Sequence, residues 1–171
     1  MDIDFLFIQR MRMGDERALE TFVKNYYPLI LRYCQIHIAD YNYAEDMTQE
    51  TFARFFQNLR KYKHYGKAVN YLYAIAANVC NDYYRKNKEI PMDELPDIPD
   101  LRNDSLDSQL DIYNALQSLS SEIRDVAILY FLQERKQKDI SKILGISLPL
   151  VKYRVRRAKK LLLDYFRKEN I

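Results

Sequence analysis

Glycine is scarce, with 3 in 171 residues, and proline reaches only 5. Glycine-rich loops that cradle phosphates have almost no material here, and an all-β fold lacks its turn residues. The 2 cysteines, Cys34 and Cys80, build no disulfide framework. With only 2 histidines no Ser/His/Asp or Cys/His nucleophile arrangement can be assembled. Cys34 and His37, three apart on an expected helix, could offer two zinc ligands. The remaining two would have to come from Cys80 and His64 in another segment, so neither a metal nor a cofactor is expected. The longest apolar run, Val126 to Leu132, falls far short of the roughly 18 residues a membrane span needs. No basic stretch followed by an apolar block opens the chain, so no secretory leader is expected. These absences point to an all-α, cytoplasmic protein without membrane insertion.

Charge is present in quantity and unevenly placed. Residues 1–87 hold 12 Lys/Arg and 10 Asp/Glu, residues 88–111 hold 2 and 8, and residues 112–171 hold 13 and 6. A basic C-terminal third suits a polyanion, because each cation near a phosphate releases counterions. The acidic middle contains Pro91, Pro96 and Pro99 among Asp93, Glu94, Asp97 and Asp100, with no apolar period. Proline removes a donor and restricts its predecessor, so residues 88–111 are expected to link two helical domains, 1–87 and 112–171.

Apolar residues recur at three- and four-residue spacing in the first domain. Leu19, Phe22, Tyr26, Leu29, Ile30 and Tyr33 predict one helix. A second is expected after Asn42 as cap, with Glu45 reaching back, and carries Ala44, Met47, Thr51, Phe52, Phe55 and Leu59. A third follows Gly66 with Val69, Leu72, Ile75, Ala76 and Val79. The second domain opens with Ile112, Leu116 and Leu119, followed by a helix after Ser120 with Val126, Leu129 and Leu132.

The strongest local signal runs from Gln137 to Tyr165. Ile140, Ile143 and Leu144 form a stripe, Gly145 interrupts it, and Ser147 caps a second helix, which is the sharp turn of a helix-turn-helix. At 100° per residue, Val151, Val155, Ala158, Leu162 and Tyr165 fall on one side of that helix. Lys152, Tyr153, Arg156, Arg157 and Lys160 fall on the other, as a helix entering the DNA major groove requires. The helix from Asn42 to Leu59 has a second stripe, Asp46, Gln49, Glu50 and Gln57, with Ala53 between them and Phe56 at its edge. It reads equally as a solvated face or as a docking surface for a basic partner helix. Between the second and third helices, Arg60, Lys61, Tyr62, Lys63, His64, Tyr65 and Lys67 interleave bases with aromatics, followed by Tyr71, Tyr73 and Asn78. That mixture serves single-strand binding, or else a surface loop above core tyrosines.

Taken together the chain resembles the extracytoplasmic-function (ECF) sigma factors of bacterial RNA polymerase, in the sigma-70 superfamily. AEDMTQETFARFF (Ala44 to Phe56) is similar to region 2.2, and NYLYAIAANVCNDYYRK (Asn70 to Lys86) to regions 2.3 and 2.4. LSSEIRDVAILYF (Leu119 to Phe131), KDISKILGIS (Lys138 to Ser147) and VKYRVRRAKKLL (Val151 to Leu162) are similar to region 4. The resemblance implies a non-enzymatic initiation factor whose partners are core RNA polymerase (the β and β′ subunits), promoter DNA and, as a regulator, an anti-sigma factor. It assigns Asp46, Gln49, Glu50, Ala53, Phe56 and Gln57 to the polymerase clamp. It assigns Lys61, Tyr62, Lys63, Tyr65, Lys67, Asn78 and Asp82 to the −10 element, where a base is flipped. Lys152, Tyr153, Arg156, Arg157 and Lys160 would meet the −35 element, and the acidic linker would thread the polymerase channel. The chain departs from the family at Tyr71, where tryptophan is usual, and at Pro149 and Leu150, where the family usually has Gly-Thr. The competing class is a helix-turn-helix regulator that binds duplex DNA without polymerase; a third is an interaction module that has lost promoter activity.

Overall fold

The computed structural model of the chain describes residues 2–38, 40–64, 66–86 and 106–169. They form eight α-helices and one π-helical turn, with no strand among the described residues. The chain divides into two compact units, Met1–Ile98 and Pro99–Ile171.

The first unit holds α1 (Ile3–Arg12), α2 (Glu16–His37), α3 (Tyr41–Gln57) and α4 (Ala68–Lys86). Helix α1 has no counterpart in the sequence reading. Ile3, Phe5 and Leu6 stay exposed while Ile8 and Met11 are buried, so its apolar residues ring the helix instead of lining one face. Asp2 starts it by accepting from the Asp4 amide at 3.0 Å. Gly14, at φ +82°, reverses the chain, and Asp15 caps α2 by accepting from the Ala18 amide. Along α2 the buried stripe is Ala18, Phe22, Ile30, Tyr33, Cys34 and His37. Leu19 and Leu29, read from sequence as core, sit one step off it and are exposed.

Helix α3 starts earlier than the sequence suggests. Asp40, not Asn42, is its cap, and accepts from the Asn42 and Tyr43 amides. Asn42 lies inside the first turn, where a backbone donor still needs a partner that Asp40 supplies. Thr48 and Thr51 are fully buried on α3, and each hydroxyl donates at 2.8 Å to the carbonyl four residues back, on Ala44 and Met47. Satisfied in that way, they tolerate burial. The core is aromatic: Phe22 stacks on Phe55 with ring centroids 5.0 Å apart, and Tyr33 meets Tyr73 edge-on at 5.4 Å. Where small residues let α2 and α4 approach, the Cys80 thiol donates to Cys34 Sγ at 3.9 Å, with no disulfide between them.

The second unit holds α5 (Leu106–Gln117), α6 (Ser121–Ala127), a π turn (Ile128–Leu132), α7 (Gln137–Leu144) and α8 (Leu148–Glu169). Helix α5 overlaps the end of the stretch expected to be linker; the rest of that stretch, 88–105, lies outside the described residues. Arg124 locks the α5–α6 corner. Its guanidinium donates to the carbonyls of Leu116, Gln117 and Leu119 at 2.9, 3.1 and 2.8 Å, which caps the C-terminal end of α5. Val126, Ile128, Leu129, Ile140, Val151 and Ala158 close the core, whereas Ile112 stays exposed.

Candidate nucleic-acid and protein interfaces

Three surfaces follow from how these helices are pinned. On the second unit, Gly145 ends α7 in the left-handed conformation, φ 64° and ψ 34°, and its amide donates to the Ser141 carbonyl. Nothing lies within 4 Å of where a Cβ would project, so backbone geometry and not space calls for glycine. The Ser141 hydroxyl donates to the Ile146 carbonyl at 2.6 Å, and the Leu150 amide donates to the Ser147 hydroxyl at 3.4 Å. Pro149 thus falls in the first turn of α8, where its missing donor is not needed. Val151, Val155 and Ala158 are buried, and Lys152, Tyr153, Arg156, Arg157 and Lys160 are all exposed on the opposite side. The division into a buried and an exposed side follows the expected one, save that Leu162 and Tyr165 are half-buried.

Further cations lie along α8 beyond the expected face. Lys159 and Arg167 join Arg156, Lys160, Leu163 and Asp164 around a shallow groove farther along α8. Arg154, by contrast, is withdrawn into a pair with Glu122 at 3.2 Å. Beside it, burial pushes the Asp125 carboxyl up to about 6, against the opposing pull of Arg124 and Arg154.

On α3, Asp46, Gln49, Ala53 and Gln57 are exposed along one stripe, with Glu50 and Phe56 half-exposed. Glu50 is not idle: Arg54, one turn on, donates to it at 2.8 Å. The same guanidinium reaches Asp82 of α4 at 3.6 Å, and Asp82 also pairs with Arg85 at 2.7 Å. The hydrogen bond to Glu50 raises the Arg54 pKa still further, so the cation is permanent. This chain of pairs joins the α3 stripe to the α4 face that carries Asp82.

The third surface is the loop between α3 and α4. Lys61, Lys63 and Lys67 are exposed on it, and Tyr65 lies outside the described residues. Tyr62 is buried: its ring stacks on Tyr71 at 4.7 Å and packs on Phe55 at 5.7 Å. Its stacking face is therefore occupied by protein, and burial pushes its hydroxyl up to about 12. Tyr71, in place of the tryptophan usual in the family, is the other half of that stack. Asn78 is exposed on α4, roughly 15 Å along the helix from Ala68.

Comparison with known proteins decides what carries these surfaces. Residues 22–90 match Sigma-70 region 2, and residues 109–162 match Sigma-70, region 4. The ECF RNA polymerase sigma factor SigM of Bacillus subtilis is 31% identical over 139 residues, covering 76% of this chain and 83% of SigM. The chain belongs to the ECF sigma factors. A further relative, SigE of Mycolicibacterium smegmatis, is 29% identical over 170 residues; the alignment covers 92% of this sigma factor but 66% of SigE's own length. Among solved structures, CnrH in complex with the cytosolic domain of CnrY shares the fold, with a TM-score of 0.80 at 19% identity over 98% of this chain and 99% of that one. In this sigma factor, α1 precedes the region 2 match altogether, and the α8 face falls within region 4 up to Leu162. Among the described residues no three His, Cys, Asp or Glu side chains converge as metal ligands, and no helix is long and apolar enough to cross a membrane.

Proposed function

We propose that this sigma factor binds core RNA polymerase through the α3 stripe, opens promoter DNA with the α3–α4 loop and the exposed side of α4, and docks on the upstream −35 element with α8. The observation that carries the reading is the co-occurrence in one chain of a region 2 bundle and a region 4 helix-turn-helix whose entire basic face is exposed. A duplex-only regulator needs the second but has no use for the first, so that alternative is not favoured. The working domain limits are 1–87 for polymerase and −10 contacts, 88–111 for the linker and 112–171 for −35 contacts.

In this scheme Lys61, Lys63 and Lys67 hold phosphates while Asn78 and Tyr65 meet the unstacked base, and Tyr62 supports the loop from beneath. On α8, Arg156 and Lys152 lie on the face that enters the groove. Chemistry stays with the polymerase; the sigma factor contributes binding and strand separation, in the cytoplasm. CnrH was solved with CnrY, and RpoE of Bartonella quintana with the anti-sigma factor NepR. The RpoE complex supports an anti-sigma partner for this chain as well. Run-off transcription with purified core polymerase on genomic fragments tests the scheme. Discrete, sigma-dependent transcripts are expected; a protein that binds duplex DNA yet never assembles with core polymerase would overturn it.

A further inference from the structure

Helix α1 is tied to the α3–α4 loop at both ends, and the ties engage backbone as much as side chains. At the near end, Arg12 Nε donates to the Leu59 carbonyl at 3.0 Å, and its Nη2 donates to the Tyr62 carbonyl. At the far end, the Asp4 carboxylate accepts from the Ala68 amide at 3.0 Å, supplying an N-terminal partner for α4. Its other oxygen accepts from the Tyr26 hydroxyl on α2, so Asp4 is itself held. Between these, His64 Nε2 meets the Asp2 carboxylate at 2.6 Å, and His64 Nδ1 meets the Tyr62 hydroxyl at 3.0 Å. With Nε2 donating to the carboxylate, Nδ1 accepts from the phenol, and both loop side chains point down toward α1.

We propose that α1 is the positioning element of the promoter-opening loop, with Asp4 and Arg12 as positioning residues and Asp2 as a weaker third tether; this rests on the loop reading given above. The reason is what the tethers leave free. They consume two carbonyls, one amide, His64 and the Tyr62 hydroxyl, while Lys61, Lys63 and Lys67 stay exposed. Arg60 is exposed beside these lysines, and four cations crowded in one short loop repel one another and would otherwise spread over many arrangements. Fixing the backbone on both sides of them meets that ordering cost when the protein folds, so it is not charged against DNA capture. Asp4 adds a negative charge beside the N-terminal end of α4, which favours it electrostatically. All three tethers come from residues ahead of the span that matches region 2.

The test uses the full chain with core polymerase and a promoter recovered by run-off transcription. Asp4→Ala, Arg12→Met and Asp2→Asn are compared with a Lys61→Ala, Lys63→Ala, Lys67→Ala triple variant. Three readouts are taken: amide exchange across the loop and at Ala68, assembly with core, and permanganate reactivity on duplex and on pre-melted templates. Asp4→Ala and Arg12→Met should exchange about tenfold faster in the loop. They should assemble normally and open duplex promoter roughly 3–10-fold more slowly, with full activity on the pre-melted template. Unchanged loop exchange overturns the proposal, as does a loosened loop that opens DNA at the wild-type rate while the triple variant fails. Equal loss on both templates also overturns it, because that is general instability and not mispositioning. If the triple variant itself opens DNA normally, the loop reading fails and the proposal fails with it. Should Asp4→Ala not fold, Asp2→Asn decides the matter, since Asp2 is half-exposed and expendable to the core. No change in exchange around His64 in that variant overturns the clamp.

Discussion

Reversing Asp46 and Glu50 to lysine should separate polymerase assembly from folding. Asp46 is exposed and has no hydrogen bond or ion pair among the described residues, so its reversal costs the fold little. Glu50 is held by Arg54, with side-chain exposures of 45% and 38%. An exposed pair one turn apart is worth about 0.3–0.5 kcal/mol, and the like-charge pair that replaces it costs a similar amount. Folding should therefore lose no more than about 1 kcal/mol, a few degrees in Tm. At an interface the same change acts on a carboxylate facing a basic partner, where loss of a central pair costs about 2–5 kcal/mol. That corresponds to a fall in affinity of roughly 30-fold or more. Titration of core polymerase with labelled sigma factor, beside thermal unfolding, measures both quantities. Arg54→Ala is the informative companion: it releases Glu50 from its internal partner and should bind core at least as well as the wild type. Normal assembly by the reversed protein would refute the clamp assignment. A fall in Tm matching the fall in affinity would refute the claim that the stripe faces solvent.

Gly145→Ala should destabilise the second unit by about 1–2 kcal/mol in thermal unfolding, because φ 64° and not crowding demands glycine there; Gly145→Asn should cost less. Asp125 titrates near 6 when folded and near 3.8 when unfolded. Its favourable contribution is complete below about pH 4 and is lost as pH rises through 6. Asp125→Asn should flatten that window and stabilise the protein at pH 7.5 by about 1–3 kcal/mol, and an unaltered pH profile would exclude Asp125 as the source. Arg156→Ala should lower the salt dependence of duplex binding by about one unit of slope if its contact is to a phosphate, or cost roughly 1–3 kcal/mol of discrimination at one position if it is to a base edge. Binding isotherms at several salt concentrations distinguish the two.

Much of this molecule is legible in the sequence because its helices are amphipathic and its turn chemistry is local. Gly145 and Ser147 announce the helix-turn-helix through backbone requirements that involve only near neighbours. The period of α8 then sorts Val151, Val155 and Ala158 from Lys152, Arg156 and Lys160 with no reference to the rest of the fold. The α3 stripe is likewise a matter of angle around one helix, and the all-helical class follows from missing glycine and proline.

Tertiary structure decided the rest, and in each case the deciding contact spans a long stretch of chain. Arg12 reaches Leu59 and Tyr62, 47 and 50 residues away, and Asp4 reaches Ala68, 64 away. No periodicity encodes such a meeting; it exists only once α2, α3 and α4 have packed and brought α1 beneath the loop. The same packing put Tyr62 on the inside, against Tyr71 and Phe55, although its neighbours in sequence, Lys61 and Lys63, stay outside. Sequence shows an aromatic among cations, a pattern that suits a base-stacking surface or a core edge equally. The choice belongs to whichever ring is within reach when the chain is folded, because an aromatic face buried against another gains more than one left in water.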